Sequence, residues 1–169
     1  MSDVTRTSPT ESAAAQQAVR LLLRQAKQLA AEYYRLTGKP LGVTGEVAEY
    51  EAAEKLGLTL ADARTPFFDA FHDAAGVRER FQIKGRAVLP TNRCKARVPR
   101  IKCEGDFEAV LLVLLDKSTF EAIEIWRAER DAVREGLVAP GSRSRNERGA
   151  MCISQTVRGA RRVWPPATI

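Results

Sequence analysis

Apolar side chains recur at alternating steps of three and four through Val19, Leu22, Ala26, Leu29, Tyr33 and Leu36, a spacing that predicts an amphipathic helix over residues 13–37. The stripe lasts about two and a half heptads, short of the three to four that argue for a coiled coil, so it is expected to pack within the chain, with a homodimer contact left open. Residues 1–12 (MSDVTRTSPTES) are polar and read as a disordered tail. A glycine- and proline-containing loop over 37–45 leads to a second helix over 45–56, with Thr44 as its N-cap and Gly57 as its end. Extended segments are expected at 66–70 (PFFDA) and 78–84 (RERFQIK), then a basic loop over 86–102.

Two stronger strands follow. Residues 107–115 (FEAVLLVLL) are apolar at nearly every position, which suits a central strand covered on both faces, whereas 120–126 (FEAIEIW) alternates with Glu121 and Glu124 as a more exposed neighbour would. A short helix is expected over 129–135, an Arg-rich loop over 141–149, and a last helix over 155–164 with Ser154 as N-cap. Val157, Ala160 and Trp164 would dock that helix, and Pro165 and Pro166 would stop it. The order of elements predicts an α/β or α+β fold, a sheet flanked by helices. One domain over 13–169 accounts for the length, with an N-terminal helix at 13–37 and an Arg-rich C-terminal segment at 141–164.

Charge sharpens this outline. The net charge of +6 is unevenly spread: −2 over 1–77, +8 over 78–103, −5 over 104–140 and +5 over 141–169, and Arg outnumbers Lys by 20 to 7. Two Arg-rich segments therefore hold the whole excess, and arginine is the residue that grips phosphate as a fork. The single histidine, His72, excludes multi-histidine zinc and iron sites and the HExxH proteases. Three cysteines without a CxxC pair fit free thiols in a reducing cytoplasm. The opening residues lack the charged start and apolar core of a signal peptide. The longest apolar run, Ala109 to Leu115, falls far short of the ~18 residues of a membrane span, so a soluble cytoplasmic protein without a membrane partner is expected.

The candidate chemistry lies in acids, an amide and a lysine. Glu46 stands in the first turn of the second predicted helix (GEVAEYEAA), Asp69 lies towards the end of PFFDA, and Gln82 and Lys84 lie on FQIKGR. Alternate residues of a strand share a face, so Gln82 and Lys84 point one way while Phe81 and Ile83 point into the core. A phosphodiester nuclease needs a carboxylate for a divalent cation, further oxygen ligands, and a cation near the attacking water. Asp69, Gln82 and Lys84 supply those types. Singly each has a plainer role: Glu46 complements a helix dipole, Asp69 is a turn residue with Asp73 as a rival, and Lys84 is a solvated strand end. His72 reads as a surface histidine.

An acid, a gap of about a dozen residues across a turn, and then (Asp/Glu/Gln)-x-Lys on a core strand resembles the PD-(D/E)xK nuclease superfamily. In particular it looks like the Holliday-junction resolvase and Mrr-type branch. GEVAEYEAA, QIKGR and SRNERGA also look like a family of small uncharacterised bacterial proteins within that superfamily, a resemblance that implies no activity. The resemblance implies a restriction-endonuclease-like central mixed sheet flanked by helices and a Mg2+-dependent (or Mn2+-dependent) endonuclease acting on DNA. It implies Asp69 as principal metal ligand, Gln82 at the second-acid position, the Ile83 backbone carbonyl as a further ligand, Lys84 as the catalytic lysine and Glu46 as auxiliary acid. Asp69 follows Phe68 where the pattern has Pro, and Gln82 is neutral where most members carry an acid. Arg86, Arg93, Arg97 and Arg100 are expected to seat the DNA backbone, joined by Arg143, Arg145, Arg148, Arg158, Arg161 and Arg162. The alternative is a catalytically inactive nucleic-acid-binding or regulatory protein of the same fold.

Overall fold

The structure, a computed structural model, describes residues 9–89, 96–141 and 143–166. Helices α1 (Pro9–Thr37) and α2 (Thr44–Leu56) come first, then strands β1 (Thr59–Leu60), β2 (Ala70–Ala74), β3 (Val77–Val88), β4 (Ala109–Asp116) and β5 (Ala122–Glu129). Helices α3 (Arg130–Val138), α4 (Arg143–Asn146) and α5 (Ile153–Arg158) and strand β6 (Ala160–Trp164) complete the chain. The six strands form one mixed sheet in chain order, in which β3 and β4 run parallel and every other neighbouring pair is antiparallel. This is an α+β fold. Among the described residues no helix is long and apolar enough to cross a membrane.

Strand β4 organises the core, as its unbroken apolar run implies. Ala109, Leu111, Val113 and Leu115 face one cluster, completed by Phe81, Ile83 and Ala87 of β3, by Val47, Ala48 and Ala52 of α2 and by Ala30 of α1. Val110, Leu112 and Leu114 face the other, completed by Val98, Ile101 and Phe107, by Val133 of α3 and by Ile153 of α5. Parallel strands need a crossover, usually helical. Here the segment between β3 and β4 contributes Val98 and Ile101 to the second face and bridges Arg97 to Cys152.

Several expected elements differ. The first helix starts at Pro9, inside the expected disordered tail, whose first eight residues lie outside the described ones. Proline suits a first helical position, where its missing N–H has no acceptor to lose. The apolar stripe is also rotated: Leu22, Leu29 and Leu36 are exposed, while Leu23, Ala30 and Ala31 pack on the core. The cause is Lys27, whose ammonium is drawn to the buried carboxylate of Glu51 on α2 and lies 2.9 Å from Glu121. Glu51 also accepts the Ala122 N–H, so one buried acid joins α1, α2 and β5. Val43, not Thr44, precedes α2, without a side-chain cap, whereas Gly57 ends it in the left-handed conformation as expected.

The last helix is the largest correction. It spans only Ile153–Arg158, follows Cys152 rather than Ser154, and gives way after Gly159 to strand β6. Glycine is a poor helix interior residue, and Val163 and Trp164 favour a strand that closes the edge of β5. Val157 and Ala160 consequently pack in the second cluster and Trp164 in the first, on opposite faces of the sheet. Residues 66–69 precede β2 rather than belonging to a strand, and the short β1 was not anticipated.

Helix α2 sits very close to β3. A Cβ at Gly85 would lie 2.5 Å from the Ala48 Cβ and 2.6 Å from the Thr44 carbonyl oxygen, so only glycine allows this approach. Gly85→Ala is therefore expected to lose about 1–3 kcal/mol of stability, the usual cost of overpacking, read as a lowered midpoint in urea denaturation. An unchanged midpoint would show that α2 is not seated on Gly85.

Candidate active site

The β2–β3 hairpin pairs only as far as Ala70 opposite Phe81, while β3 continues to Val88 alongside β4. Its β2-side edge therefore has no strand partner beyond Phe81. Asp69, the residue before β2, sits there. Its N–H donates to the Phe81 carbonyl at 2.8 Å, and its Oδ2 accepts the Ile83 N–H at 2.6 Å. On an extended strand the N–H and C=O of one residue point to the same edge, so the Ile83 carbonyl lies on the edge that Asp69 occupies.

Helix α2, lowered onto Gly85, brings its acids to the same place. Glu46 is exposed and Glu49, three residues on and on the same helical face, is half-buried. Burial pushes the Glu49 carboxyl up to about 7, and the charges of Asp69 and Glu46 add to it against the pull of Lys84. Lys84 is itself half-buried and held below its ordinary value by burial, against the attraction of Asp69 and Glu49, with the charge of Lys102 adding to the depression. Thus Glu49, Asp69 and Lys84 feel one another's charge at the open edge of β3, and Glu46 reaches this group through Glu49.

Of the expected residues, Asp69 and Lys84 come within reach of each other's charge, while the exposed Glu46 acts on its helix neighbour Glu49. Gln82 is buried and, among the described residues, its hydrogen bonds go to the main chain: Nε2 donates to the carbonyls of Phe67 (3.2 Å) and Lys102 (3.3 Å), and Oε1 accepts the Lys102 N–H at 3.2 Å. Glu49 was missed, although its spacing from Glu46 in GEVAEYEAA marks it as a companion on the same face. Asp73, the rival to Asp69, is paired with Arg78 at 2.8 Å on the exposed hairpin beside His72.

The basic residues divide. Arg86 is exposed on β3 and shares the strand face of Gln82 and Lys84. Arg97, Arg100, Arg148, Arg158, Arg161 and Arg162 are exposed, and Arg97 also donates to the Ala150 carbonyl at 3.3 Å. Arg93 lies outside the described residues, and of Arg143 only its place in α4 is described. Arg145 has a partner within the chain: its guanidinium donates to the Ala139 carbonyl at the end of α3, where Asn146 also donates, at 2.9 Å. Helix-end carbonyls lack intrahelical partners, and Arg145 satisfies one of them.

Among the described residues no three His, Cys, Asp or Glu side chains stand close enough to hold a metal ion between them. The donor chemistry still suits Mg2+ or Mn2+. Mg2+ keeps several waters and takes one or two protein carboxylates, and Asp69, the Ile83 carbonyl and an acid of α2 are hard oxygen donors around one edge. No protein-family model matches the chain, and no curated protein matches its sequence.

The Glu49 shift has a defined sign. A carboxyl held at about 7 when folded, against an ordinary 4.5, binds its proton more tightly in the folded state. Its contribution to stability is complete below about pH 4.5 and is lost as pH rises through about 7. Urea denaturation of the metal-free protein between about pH 5 and 8 should show stability falling with pH, and Glu49→Gln should flatten that fall. Equal slopes in the two proteins would refute the assignment.

Proposed function

We propose that the protein is a Mg2+- or Mn2+-dependent endonuclease that hydrolyses phosphodiester bonds in DNA, with a restriction-endonuclease-like core of the PD-(D/E)xK type. The observation that carries this reading is the placing of Asp69 on the Ile83 edge of β3 with Lys84 and the α2 carboxylates in electrostatic reach. The order of elements agrees with it: an acid-bearing helix, a hairpin with Asp69 at its base and Lys84 on its second strand, a basic crossover and a parallel central strand.

Asp69, the Ile83 carbonyl and Glu49 or Glu46 would hold the cation. When bound, it supplies positive charge against the phosphoryl oxygens and makes nearby water more acidic. Lys84 has a separate task. Its Nζ, with a proton loosened by burial, orients the attacking water and steadies negative charge developing at phosphorus. Arg86, on the same strand face, and the exposed Arg97 and Arg100 of the crossover seat the DNA backbone.

A second reading, a catalytically idle DNA-binding or regulatory protein of this fold, draws support from Gln82, which is neutral and occupied with main-chain groups. Calorimetric titration with Mn2+ separates the two, since only the nuclease reading requires a cation site that Asp69→Ala abolishes. For the nuclease, plasmid and branched DNA incubated with Mg2+ or Mn2+ should be nicked by the wild type, with Asp69→Ala and Lys84→Ala each slower by about 10²-fold or more. Nicking that persists undiminished in both variants would overturn the mechanism.

A further inference from the structure

Gln82 is 4% exposed, yet its amide is used on both sides. Its Oε1 accepts the Lys102 N–H at 3.2 Å, and its Nε2 donates to the Lys102 carbonyl at 3.3 Å and the Phe67 carbonyl at 3.2 Å. One side chain therefore ties three segments: β3, the turn that leads to Asp69, and the basic crossover. Phe67 needs such support, since it holds a left-handed φ of 74°, rarely adopted by a bulky residue. Its side chain lies against Gly105, where an added Cβ would come 2.2 Å from the Phe67 Cβ and 2.5 Å from its Cγ, so the turn is also pressed against the crossover.

The bond pattern explains why an amide stands where the superfamily pattern has an acid. An amide can donate and accept at once, whereas a carboxylate can only accept. Glutamate at 82 could still receive the Lys102 N–H, but its other oxygen would face two carbonyl oxygens in a buried place. The strap also has a charged consequence. It fixes the main chain of Lys102 beside the strand face that presents Lys84 two residues further on, and the Lys102 side chain is exposed. The Lys102 charge is felt at Lys84, and among the described residues Lys102 has no salt-bridge partner.

We propose that Lys102 is a phosphate-binding residue of this site, and that Gln82 is the positioning residue that holds it there by a double main-chain hydrogen bond. The ligand is a backbone phosphate of the nucleic acid, so the inference rests on the nuclease or nucleic-acid-binding reading. A neutral Gln82 thereby replaces one anchoring device, an additional carboxylate for the cation, with another, a second ammonium for the substrate. Lys84 faces the reacting water, and Lys102 grips a phosphate oxygen as a point charge.

The test uses the full chain and a fluorescent duplex. Anisotropy titrations across a salt series give the affinity and the slope of log K against log salt for wild type, Lys102→Met, Lys102→Arg, Gln82→Glu and Gln82→Met, with circular dichroism and thermal melts to check folding. Removing one phosphate contact should weaken low-salt binding several-fold and reduce the slope by about 0.9. Lys102→Met should do this while melting like the wild type, and Lys102→Arg should restore most of the loss. Gln82→Glu and Gln82→Met should reproduce the reduced slope. Wild-type binding with an unchanged slope in Lys102→Met overturns the proposal and leaves the wider reading standing. Tighter Mn2+ binding and faster cleavage in Gln82→Glu also overturn it, because they would make position 82 a cation ligand. A wild type that binds no DNA at any salt overturns both.

Discussion

The seating of α2 on Gly85 is the constraint on which the rest of the molecule depends. At that position the helix approaches β3 so closely that Ala48 and the Thr44 carbonyl leave no space for a methyl group. Val47, Ala48 and Ala52 are buried by this contact, and the register of α2 is fixed by it. Two acids then have determined places. Glu49 comes to the open edge of β3, and Glu51, on another face of the helix, is buried against the Ala122 N–H and draws Lys27 down from α1. Lys27 stays charged there: burial pulls its pKa down, but its hydrogen bonds to Glu51 and Glu121 prevail and hold it above its ordinary value. A single close packing contact thus orients a polar anchor on one side and the candidate site on the other.

The site itself gathers like charges where the fold alone has no need of them. Asp69 is usefully occupied, since it caps the Ile83 N–H where hairpin pairing stops. Glu49 is not: it sits half-buried beside two other acids, and its raised pKa records the unfavourable cost of that placement. Phe67 adds backbone strain within two residues of Asp69. Strain and unfavourable charge in one small region are features that folding would remove unless something else is served by them. By contrast, the acids around Arg80 and Arg127 are paired: Arg80 with Asp106 and Glu108, and Arg127 with Glu79 and Glu129.

Much of this was legible in local pattern. The apolar run from Ala109 to Leu115 could only be a strand buried on both faces, and it is. The parity of Gln82, Lys84 and Arg86 along β3 follows from the two-residue period, and Gly57 at the end of α2 follows from its left-handed backbone. The C-terminal segment was misread for the same kind of reason: Val157, Ala160 and Trp164 fit a helical period, but Gly159 interrupts it and the open edge of β5 recruits 160–164 into the sheet. A vacant edge is a property of the assembled sheet and leaves no mark on the segment that fills it.

Local sequence thus determined which residues alternate, which runs are buried, and that Lys84 lies on a strand with a basic segment beyond it. Only the tertiary structure decided which face of α1 packs, because that was set by Lys27 meeting a buried acid 24 positions away. It also decided that Glu49 joins the site, that Arg145 serves a helix end, and that Gln82 spends its amide on Lys102. The division has a physical basis. Periodicity and turn chemistry act over a few residues and are written in composition, whereas buried polar groups must find partners wherever the fold brings them, and those partners are distant in the chain.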